Sequence, residues 1–433
     1  MKDGCSHVEM RHHDLWLAAD PSRVVLRPFS VTSEPRGTPF DVVTRAERIA
    51  RAVLEMTSDE VREQLERVDA DFFGRHWQTH AIFRERFEQM RHLIGDLKNV
   101  DDNTAKLIGA YFSHEYSYAA AAIMNPSIVP HPDQTGCNNG SVKFVMSLRT
   151  VGEGHISSIA FREGMVSDNG DFSLWPEPQF ALAAAAGPHD GDGGPVTVHR
   201  HESAPLSGNV IFPVTRAQAN GLEDLRLVQF TEEDGSKPYY GTYTAYSGRE
   251  VSCEMLTTEK FSSFELTPMI GAAAKNKGLA LFPRRINGHY AAIGRLDSES
   301  LFYLQSDDRF DWNYGRLIMA PKYPWELVQL GNCGSPIELD EGWLLLTHGV
   351  GAMRQYAIGA ALLDKKDPSK VLARSDKPFL APINETREGY VPNVVYTCGG
   401  MKVGDSILIP YAVADSSVKV VTIKSKDLIA SLR

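Results

Sequence analysis

The sequence predicts an all-β protein, a five-bladed β-propeller that carries a helical N-terminal extension. Three observations lead to this prediction. Residues 39–120 are rich in helix formers and show no strand-like alternation. From about Asn125 the hydrophobic period changes to two, in short runs of β-branched and aromatic residues broken by Gly, Asn and Asp turns. Strand-rich modules then recur about every 40–60 residues, which is typical of propeller blades.

The helical extension is predicted over residues 1–120, and the propeller over 121–433. Thr57 and Glu60 have the spacing of a capping box that opens a helix, and a further helix is predicted from Thr104 to Ala121. Between them, residues Phe72 to Leu97 are predicted to form an amphipathic helix with an aromatic stripe: Phe73, Trp77, Phe83, Phe87, Met90 and Ile94. We interpret this stripe as packing against a neighbouring module or a second subunit. The second alternative would give a homo-oligomer through the N-terminal helices.

Five modules make up the predicted propeller. Each opens with a strand, continues through a Gly- or Asp-containing turn and adds two further strands. They open near Asn138, Gly221, Lys277, Asn332 and Val391. The first interval is longer because residues 165–220 hold a Gly-, Pro- and His-rich insertion, interpreted as a loop. A two-sheet β-sandwich is the alternative, but it does not predict the polar segment that closes most modules.

Composition excludes several functions. The 433 residues carry 45 Lys+Arg and 55 Asp+Glu, a formal net charge of −10, which argues against nucleic acid as a partner. No apolar run reaches the roughly 18 residues of a membrane span, and the N-terminus lacks the apolar stretch of a signal peptide. The five cysteines are scattered and form no CxxC pair, which favours a reducing compartment. These observations together lead us to expect a cytoplasmic protein. The histidines lack the spacing of metal ligands, so we expect no metal site.

Candidate site residues are those that open the modules, because a propeller brings them together on its axis. Asp224 and Arg226 alternate with Glu223 at the start of an apolar strand, and the pair fits either a functional carboxylate or an ion pair between blades. His348 ends an apolar strand before a Gly turn and is more typical of a structural histidine. A basic cluster of Lys275, Lys277, Arg284 and Arg285 fits an anion site or a solvated face.

Several segments together resemble glycoside hydrolase family 130, the β-mannoside phosphorylases and β-mannosidases. The resemblance covers residues 120–430. It is carried by MNPSIV (124–129), SLRT (147–150), LEDLRL (222–227), KNKGLALFPRRINGHY (275–290), GWLLLTHGV (342–350), YAIGAALLDKKDPSKV (356–371) and VPNVVYTCGG (391–400).

This resemblance implies an inverting cleavage of a terminal β-mannosidic bond in short manno-oligosaccharides. It implies that Asp224 is the acid, delivering its proton through a hydroxyl of the mannosyl residue, and that Arg226 positions it. Residues expected to bind the sugar are Asn125, Arg149, Asn393 and Tyr390, the last standing where the family has Asp. Residues expected around an attacking phosphate are Lys275, Asn276, Arg284, His348 and Tyr356. No cofactor is implied; inorganic phosphate would be a co-substrate of a phosphorylase.

The nucleophile divides the predictions. The chain has Glu153 where the phosphorylases place an arginine. A second stretch, in which the phosphorylases carry a lysine, contains Glu326 and no lysine in this chain. Because fewer cations and an added carboxylate weaken phosphate binding, the sequence favours an exo-acting β-mannosidase, with Glu153 or Glu326 as base and β-1,2-linked substrates. The retained Lys275 and His348 support a β-mannoside phosphorylase releasing α-mannose 1-phosphate. A third alternative is a non-catalytic carbohydrate-binding propeller.

Overall fold

The computed structural model describes Cys5 and residues 8–31, 44–93, 99–138, 140–167, 169–188, 193–384 and 387–433. Ile94 of the predicted stripe, residues 39–43 of the predicted helical region and residues 189–192 of the insertion lie outside this part of the chain. Within it, no helix is long and apolar enough to cross a membrane.

The secondary structure is mostly β. The α-helices are Arg45–Leu54 (α1), Ser58–Phe72 (α2), Thr79–Met90 (α3), Asp102–Tyr111 (α4) and Ser425–Ala430 (α5). The strands are Met10–His12 (β1), Leu17–Ala18 (β2), Val24–Pro28 (β3), Ser113–Ser117 (β4), Ala122–Pro130 (β5), Val142–Val151 (β6), Ser157–Val166 (β7), Phe172–Leu174 (β8), Leu182–Ala183 (β9), Ala185–Ala186 (β10), Val196–His199 (β11), Asn209–Ile211 (β12), Gly221–Gln229 (β13), Tyr239–Tyr246 (β14), Val251–Thr258 (β15), Ser263–Pro268 (β16), Ala280–Leu281 (β17), Tyr290–Gly294 (β18), Leu301–Ser306 (β19), Gly315–Met319 (β20), Gln329–Asn332 (β21), Ile337–Glu338 (β22), Trp343–Val350 (β23), Tyr356–Leu363 (β24), Val371–Arg374 (β25), Val395–Tyr396 (β26), Met401–Val403 (β27), Ser406–Val413 (β28) and Ser417–Lys424 (β29).

The chain divides into two compact units, and the smaller comprises Ser22–Tyr118 with Gln179–Ala183. It holds α1 to α4 and the antiparallel pair β3–β4. The predicted capping box is present, because the Thr57 side chain accepts from the backbone N–H of Glu60 and the Glu60 side chain accepts from that of Thr57. The apolar faces of the helices form one core: Ala50, Val53, Val61, Phe87, Ala105, Leu107, Ile108 and Phe112.

Two helical predictions in this unit are wrong in extent. The pattern from Phe73 onward is interrupted, because α2 ends at Phe72 and α3 begins only after Gln78, which has a left-handed φ of 56°. Phe73 is consequently 61% exposed. The helix predicted from Thr104 to Ala121 ends at Tyr111, because residues 113–117 instead pair with β3.

The described residues before Ser22 contain β-strands rather than helix. Strands β1 and β2 pair antiparallel with β29, at the C-terminal end of the chain. Residues 1–21 accordingly belong to the larger unit, with 119–178 and 184–433. The helical extension predicted over 1–120 is therefore confined, among the described residues, to the stretch between Arg45 and Tyr111.

The larger unit is built from five antiparallel meanders, which we number in chain order. They are β5–β6–β7–β8 (first), β13–β14–β15–β16 (second), β17–β18–β19–β20 (third), β21–β23–β24–β25 (fourth) and β26–β28–β29–β1 (fifth). The insertion between the first and second meanders is more than a loop, because its strands β10 and β11 extend the second meander beyond β16.

Buried side chains pack between successive meanders. One apolar cluster joins the first and second meanders through Phe161 and Tyr243, and another joins the fifth and first through Leu408 and Phe144. Three further clusters join the second to the third, the third to the fourth and the fourth to the fifth. The apolar clusters thus join each meander to the next and the fifth to the first. The five-bladed propeller stays a prediction.

Hydrogen bonds repeat this order. The Leu227 N–H donates to Ser127 Oγ over 3.2 Å, between the first two meanders. The Cys398 N–H donates to the Pro126 carbonyl over 2.7 Å and ties the fifth meander to the first. Pro126 and Ser127 therefore tie the middle of β5 to both neighbouring meanders, beside the residues described next.

Candidate active site

Two β-bulges place Asn125 and Asp224 side by side. The register of β5 against β6 shifts between Met124 and Ser127, and that of β13 against β14 shifts between Glu223 and Arg226. Asn125 and Asp224 take left-handed φ values of 50° and 58°. Such bulges re-aim a side chain out of the ladder. Asn125 Nδ2 consequently donates a hydrogen bond to Asp224 Oδ1 over 2.7 Å.

Arg149 bridges the two adjacent carboxylates. Its Nη1 donates to Asp224 Oδ1 over 3.1 Å and its Nη2 to Glu223 Oε1 over 2.7 Å. Its Nε donates to Ser157 Oγ, which fixes the guanidinium from the adjacent strand. The other oxygen of Glu223 accepts a hydrogen bond from Lys277 Nζ over 2.7 Å. The Asp224 side chain is 15% exposed and that of Lys277 40%, so the cluster opens to solvent.

Arg226 lies beneath this cluster and is buried. Its Nη1 donates to the backbone carbonyl of Asp224, its Nη2 to the hydroxyl of Tyr396 and its Nε to the carbonyl of Cys333. These bonds connect the second meander with the fourth and fifth. Arg226 therefore holds the bulge that carries Asp224.

The surrounding cations govern the charge of Asp224. Burial raises the pKa of its carboxyl, but the positive charges of Arg149, Arg226 and Lys277 and the hydrogen bond from Asn125 outweigh burial and lower it to about 2. Asp224 is therefore ionised at neutral pH in this arrangement. A proton donor at this position needs a change in its surroundings first.

A second carboxyl, Asp415, faces the same charges. It lies in the turn between β28 and β29 with a left-handed φ of 47°. Burial and the nearby charge of Asp224 raise its pKa to about 6, against the opposing effect of Arg149 and Arg354. The pKa values of Asp224 and Asp415 thus lie far apart. Such separation is typical of carboxyls with different roles at one site.

Aromatic side chains and a neutral histidine border the cluster. The His348 ring stacks on Tyr356 with centroids 5.9 Å apart and meets Tyr396 edge-on at 4.9 Å. Burial, followed by the charges of Arg295 and Arg226, lowers the pKa of His348 well below its usual value. His348 is therefore neutral at neutral pH and can accept or donate one hydrogen bond at each ring nitrogen.

Three other predicted residues lie in loops near this cluster. Asn393 has a left-handed φ of 64°, and its carbonyl accepts a hydrogen bond from the Tyr356 N–H, which places it beside the aromatic wall. The Tyr390 hydroxyl is hydrogen-bonded to His155 Nδ1 over 2.9 Å. Glu153 lies two residues before His155, in the exposed turn between β6 and β7 that follows Arg149.

Four predicted residues are held elsewhere. Lys275 ends a 3-10 turn and is exposed, whereas Lys277 two residues later reaches Glu223. Asn276 Nδ2 donates to Ser298 Oγ. Arg284 forms a bidentate pair with Glu338 and lies over the Trp343 ring, which is a link between the third and fourth meanders.

Glu326 is the fourth of these residues, and its position argues against a role as base. Its side chain has no exposed surface. It forms an ion pair with Arg374 over 2.5 Å and accepts hydrogen bonds from the backbone N–H groups of Lys322 and Tyr323. A carboxylate enclosed in this way cannot activate a water molecule in an open site, and the prediction for Glu326 is corrected accordingly.

Sequence reasoning passed over Arg295 and Asp415 as site residues, and it named Lys277 only as one member of a basic cluster. Arg295 is buried and donates two hydrogen bonds to the Lys277 carbonyl, so it supports the lysine from below. A signal for Asp415 does exist, because the turns after β6, β23 and β28 emerge at the same end of their meanders. A polar residue in each of these turns is therefore a candidate site residue. The sequence analysis named Glu153, in the first of them, because of the resemblance, and it did not name Asp415. Within the described residues no group of His, Cys, Asp and Glu could hold a metal ion.

Comparison with known proteins identifies the class as enzymes that act on mannosides. The family model described as β-1,4-mannooligosaccharide phosphorylase matches residues 198–433. The chain therefore belongs to glycoside hydrolase family 130 and is an enzyme, as the resemblance predicted.

Individual relatives agree with this family. A 1,2-β-oligomannan phosphorylase of Thermoanaerobacter sp. (strain X514) is 34% identical over 228 residues, 52% of this chain and 75% of that protein. A β-1,2-mannobiose phosphorylase of the same organism is 32% identical over 256 residues, 58% and 80% respectively. The solved β-1,2-mannobiose phosphorylase of Listeria innocua, in complex with β-1,2-mannobiose, has a TM-score of 0.52 and 22% identity. The match covers 72% of this chain and 92% of that one, and shows a shared fold.

Proposed function

We propose that the protein is an inverting β-mannoside phosphorylase, which transfers the terminal mannosyl residue of a short β-manno-oligosaccharide to inorganic phosphate. The products are α-mannose 1-phosphate and the shortened saccharide. The first two relatives described above act on β-1,2-linked oligomannan and mannobiose, which supports β-1,2-linked substrates. The proposal reverses the order of the two activities predicted from the sequence.

The observation that carries this proposal is the concentration of cations around Asp224. Arg149, Arg226 and Lys277 all lower its pKa, and Arg295 lies against the Lys277 backbone. Cations that donate hydrogen bonds are the groups that bind phosphate oxygens. The sequence-based argument for hydrolysis rested on lost cations, yet Lys277 and Arg295 provide positive charge that this argument did not count.

Phosphate binding would also adjust Asp224 for proton transfer. A phosphate dianion near these cations offsets their field, so the pKa of Asp224 rises from its value of about 2. Protonated Asp224 then gives its proton to the glycosidic oxygen, by way of a mannosyl hydroxyl as the resemblance implies. The bond from C1 to the leaving oxygen breaks, a phosphate oxygen bonds to C1 from the opposite face, and Asp224 is left as a carboxylate.

Hydrolysis remains the second candidate because of Glu153. An inverting hydrolase needs a carboxylate roughly 6.5–9.5 Å from the acid to activate water. Glu153 lies in the exposed turn that follows Arg149, whereas Glu326 is enclosed.

The five-bladed propeller and a cytoplasmic location are also parts of our proposal. The free thiols of the described cysteines support the cytoplasmic location.

Cleavage assays with and without inorganic phosphate test the proposal. We expect the protein to cleave β-1,2-mannobiose only when phosphate is present, with β-1,4-mannobiose as the comparison substrate. Asp224→Asn should reduce turnover at least about a thousandfold, as expected when a general acid is lost, and should leave saccharide binding largely intact. Equal cleavage without phosphate would establish the hydrolase. Binding without turnover by the wild-type protein under both conditions would establish a carbohydrate-binding module.

A further inference from the structure

A second cleft, of about 660 Å³, lies in the larger unit away from Asp224. Its walls come from the end of β5, from β7 and from the insertion between the first and second meanders. Its principal polar and aromatic residues are His131, Glu163, Trp175, Arg200, Ser207 and Lys260. The insertion supplies Trp175, Arg200 and Ser207, so the cleft exists because of the segment that makes the first module unusually long.

The cleft is remote from the catalytic cluster. Asn125 lies near the start of β5 and His131 directly follows its end. The strand is extended from Ser127 onward, so at about 3.3 Å per residue His131 lies roughly 13 Å beyond the bulge that carries Asn125. Lys260, in the turn between β15 and β16, lies at the same far end of its meander. A ligand in the cleft therefore does not contact Asp224.

A buried carboxylate forms the floor of the cleft. Glu163 is 8% exposed, and its Oε2 accepts hydrogen bonds from the N–H and the hydroxyl of Ser207. His131 Nδ1 lies within hydrogen-bonding distance of the Asp133 backbone, and its Nε2 lies 3.3 Å from Glu163 Oε1. Burial raises the pKa of Glu163, but the hydrogen bonds from His131 and Ser207 outweigh burial and lower it. Glu163 is thus an ionised, pre-oriented acceptor.

Aromatic and cationic groups complete the walls. The rings of Trp175 and His131 meet edge-on with centroids 6.0 Å apart. Trp175 is fixed through its backbone, whose N–H donates to the Glu163 carbonyl and whose carbonyl accepts from Arg162. Lys260 is exposed at the rim. An indole can pack on a pyranose ring, while the fixed carboxylate and the exposed lysine beside it hydrogen-bond the ring's hydroxyls.

The mixture of charges indicates the kind of ligand. Glu163 and Asp133 would repel a phosphate or a polyanion, and Arg200 and Lys260 would repel a polycation. A neutral polyol both donates and accepts hydrogen bonds and suits such a lining. We propose that this cleft is a second saccharide-binding site, which holds a mannosyl unit of a manno-oligosaccharide remote from the site of cleavage. The choice of sugar rests on the proposed function, but not on whether phosphate or water is the nucleophile.

A binding titration tests the second site. The parent protein is Asp224→Asn, so that the probe, β-1,2-mannotriose, is not consumed. Calorimetry should detect two sites in this protein and one after Trp175→Ala is added, because loss of an aromatic contact weakens binding by roughly tenfold or more. Trp16→Ala is the matched control, since Trp16 is an indole 56% exposed that lies outside the cleft. It should leave both sites unchanged.

A second variant separates local binding from folding. Glu163→Gln keeps the shape of the side chain but accepts hydrogen bonds less strongly, so it should weaken the same site. A circular dichroism spectrum like that of the parent protein would show that the fold is retained. In the otherwise wild-type background, Trp175→Ala should retain the cleavage rate on β-1,2-mannobiose. One site in the parent protein, or two sites with unchanged affinity after Trp175→Ala, would overturn the proposal. If the wild-type protein does not cleave mannosides but the parent protein still binds mannotriose at two sites, the proposed function fails and the second site stands.

Discussion

Lys275 and Lys277 are two residues apart, and only Lys277 reaches Glu223. The preceding 3-10 turn, Ala273–Lys275, directs the first lysine to solvent, and Arg295 holds the carbonyl of the second. Both residues are lysines in the same motif, so the sequence pattern alone could not separate them. Asp224 could be identified from the sequence because Glu223 and Arg226 lie next to it in the chain. Asp415 could not, because the charged groups that act on it, Asp224, Arg149 and Arg354, come from other meanders.

We expect Lys277→Met to raise KM for phosphate by roughly tenfold or more, because a charge-assisted hydrogen bond contributes about 1.5–3 kcal/mol. Initial rates at varied phosphate and saturating β-1,2-mannobiose measure this effect. Lys275→Met is the matched control and should leave KM for phosphate within about twofold of wild type. An increase with Lys275→Met but not with Lys277→Met would contradict the assignment of the anion site.

Asp415→Asn should stabilise the protein at high pH while slowing turnover. The pKa of Asp415 is raised in the folded state from 3.8 to about 6, so its favourable contribution is present below pH 4 and is lost as pH rises through 6. An amide removes this penalty, which is at most about 3 kcal/mol at pH 8. Thermal unfolding at pH 4 and pH 8 measures the difference.

The control for Asp415 is Asp405→Asn, at an exposed carboxyl in another turn of the fifth meander. It should change neither melting temperature by more than about 1 °C, in keeping with an ordinary surface substitution. A loss of stability at pH 8 on replacing Asp415 would mean that its attraction to Arg149 and Arg354 exceeds the cost of its burial.

At the scale of elements, the β-bulges create the site. Extended strands of the first and second meanders would point Asn125 and Asp224 along the normal pleat, and the register shifts turn them toward each other. The alternation of apolar residues predicted the strands themselves. The bulges escaped prediction because a single extra residue leaves the pattern almost unchanged, although Asn and Asp tolerate the left-handed backbone better than most residues.

Substitution of Asn125 separates the backbone role from the hydrogen bond to Asp224. Asn125→Gly keeps the left-handed conformation and removes only the side chain, whereas Asn125→Ala also strains the backbone by about 1 kcal/mol. We expect both variants to lose a similar factor in kcat/KM, roughly tenfold, for the lost hydrogen bond. Asn125→Ala should lower the free energy of unfolding by about 1 kcal/mol more than Asn125→Gly, because of the backbone strain. Full activity of Asn125→Gly would show that Asn125 serves the backbone alone.

At the scale of the whole molecule, the sequence predicted the mostly β architecture, the helical region and the family. It missed the return of the N-terminus to the last meander, because β1 is only three residues long and carries polar side chains. That pairing depends on β29, more than 400 residues away in the chain, so no local pattern in the sequence indicates it. The candidate base Glu326 failed for a related reason, since Arg374 reaches it from a distant segment.

Removing residues 1–12 should destabilise the larger unit by about 2 kcal/mol or more, because it uncovers β29 and removes Val8 from the apolar core. A shorter truncation that removes residues 1–7 keeps both Val8 and β1, and serves as the matched control. Denaturant unfolding followed by tryptophan fluorescence measures both. Equal stability of the two truncated proteins would show that the β1–β29 pairing contributes nothing.

The central claim is that the cations around Asp224 direct phosphate, rather than water, to the mannosyl carbon. Phosphorus NMR of a reaction with β-1,2-mannobiose and inorganic phosphate tests it most directly. We predict that the α-mannose 1-phosphate signal grows in step with saccharide consumption, and that Lys277→Met slows this growth by roughly tenfold or more at low phosphate. Consumption of mannobiose with free mannose as the sole product, and an unchanged phosphate signal, would contradict the claim.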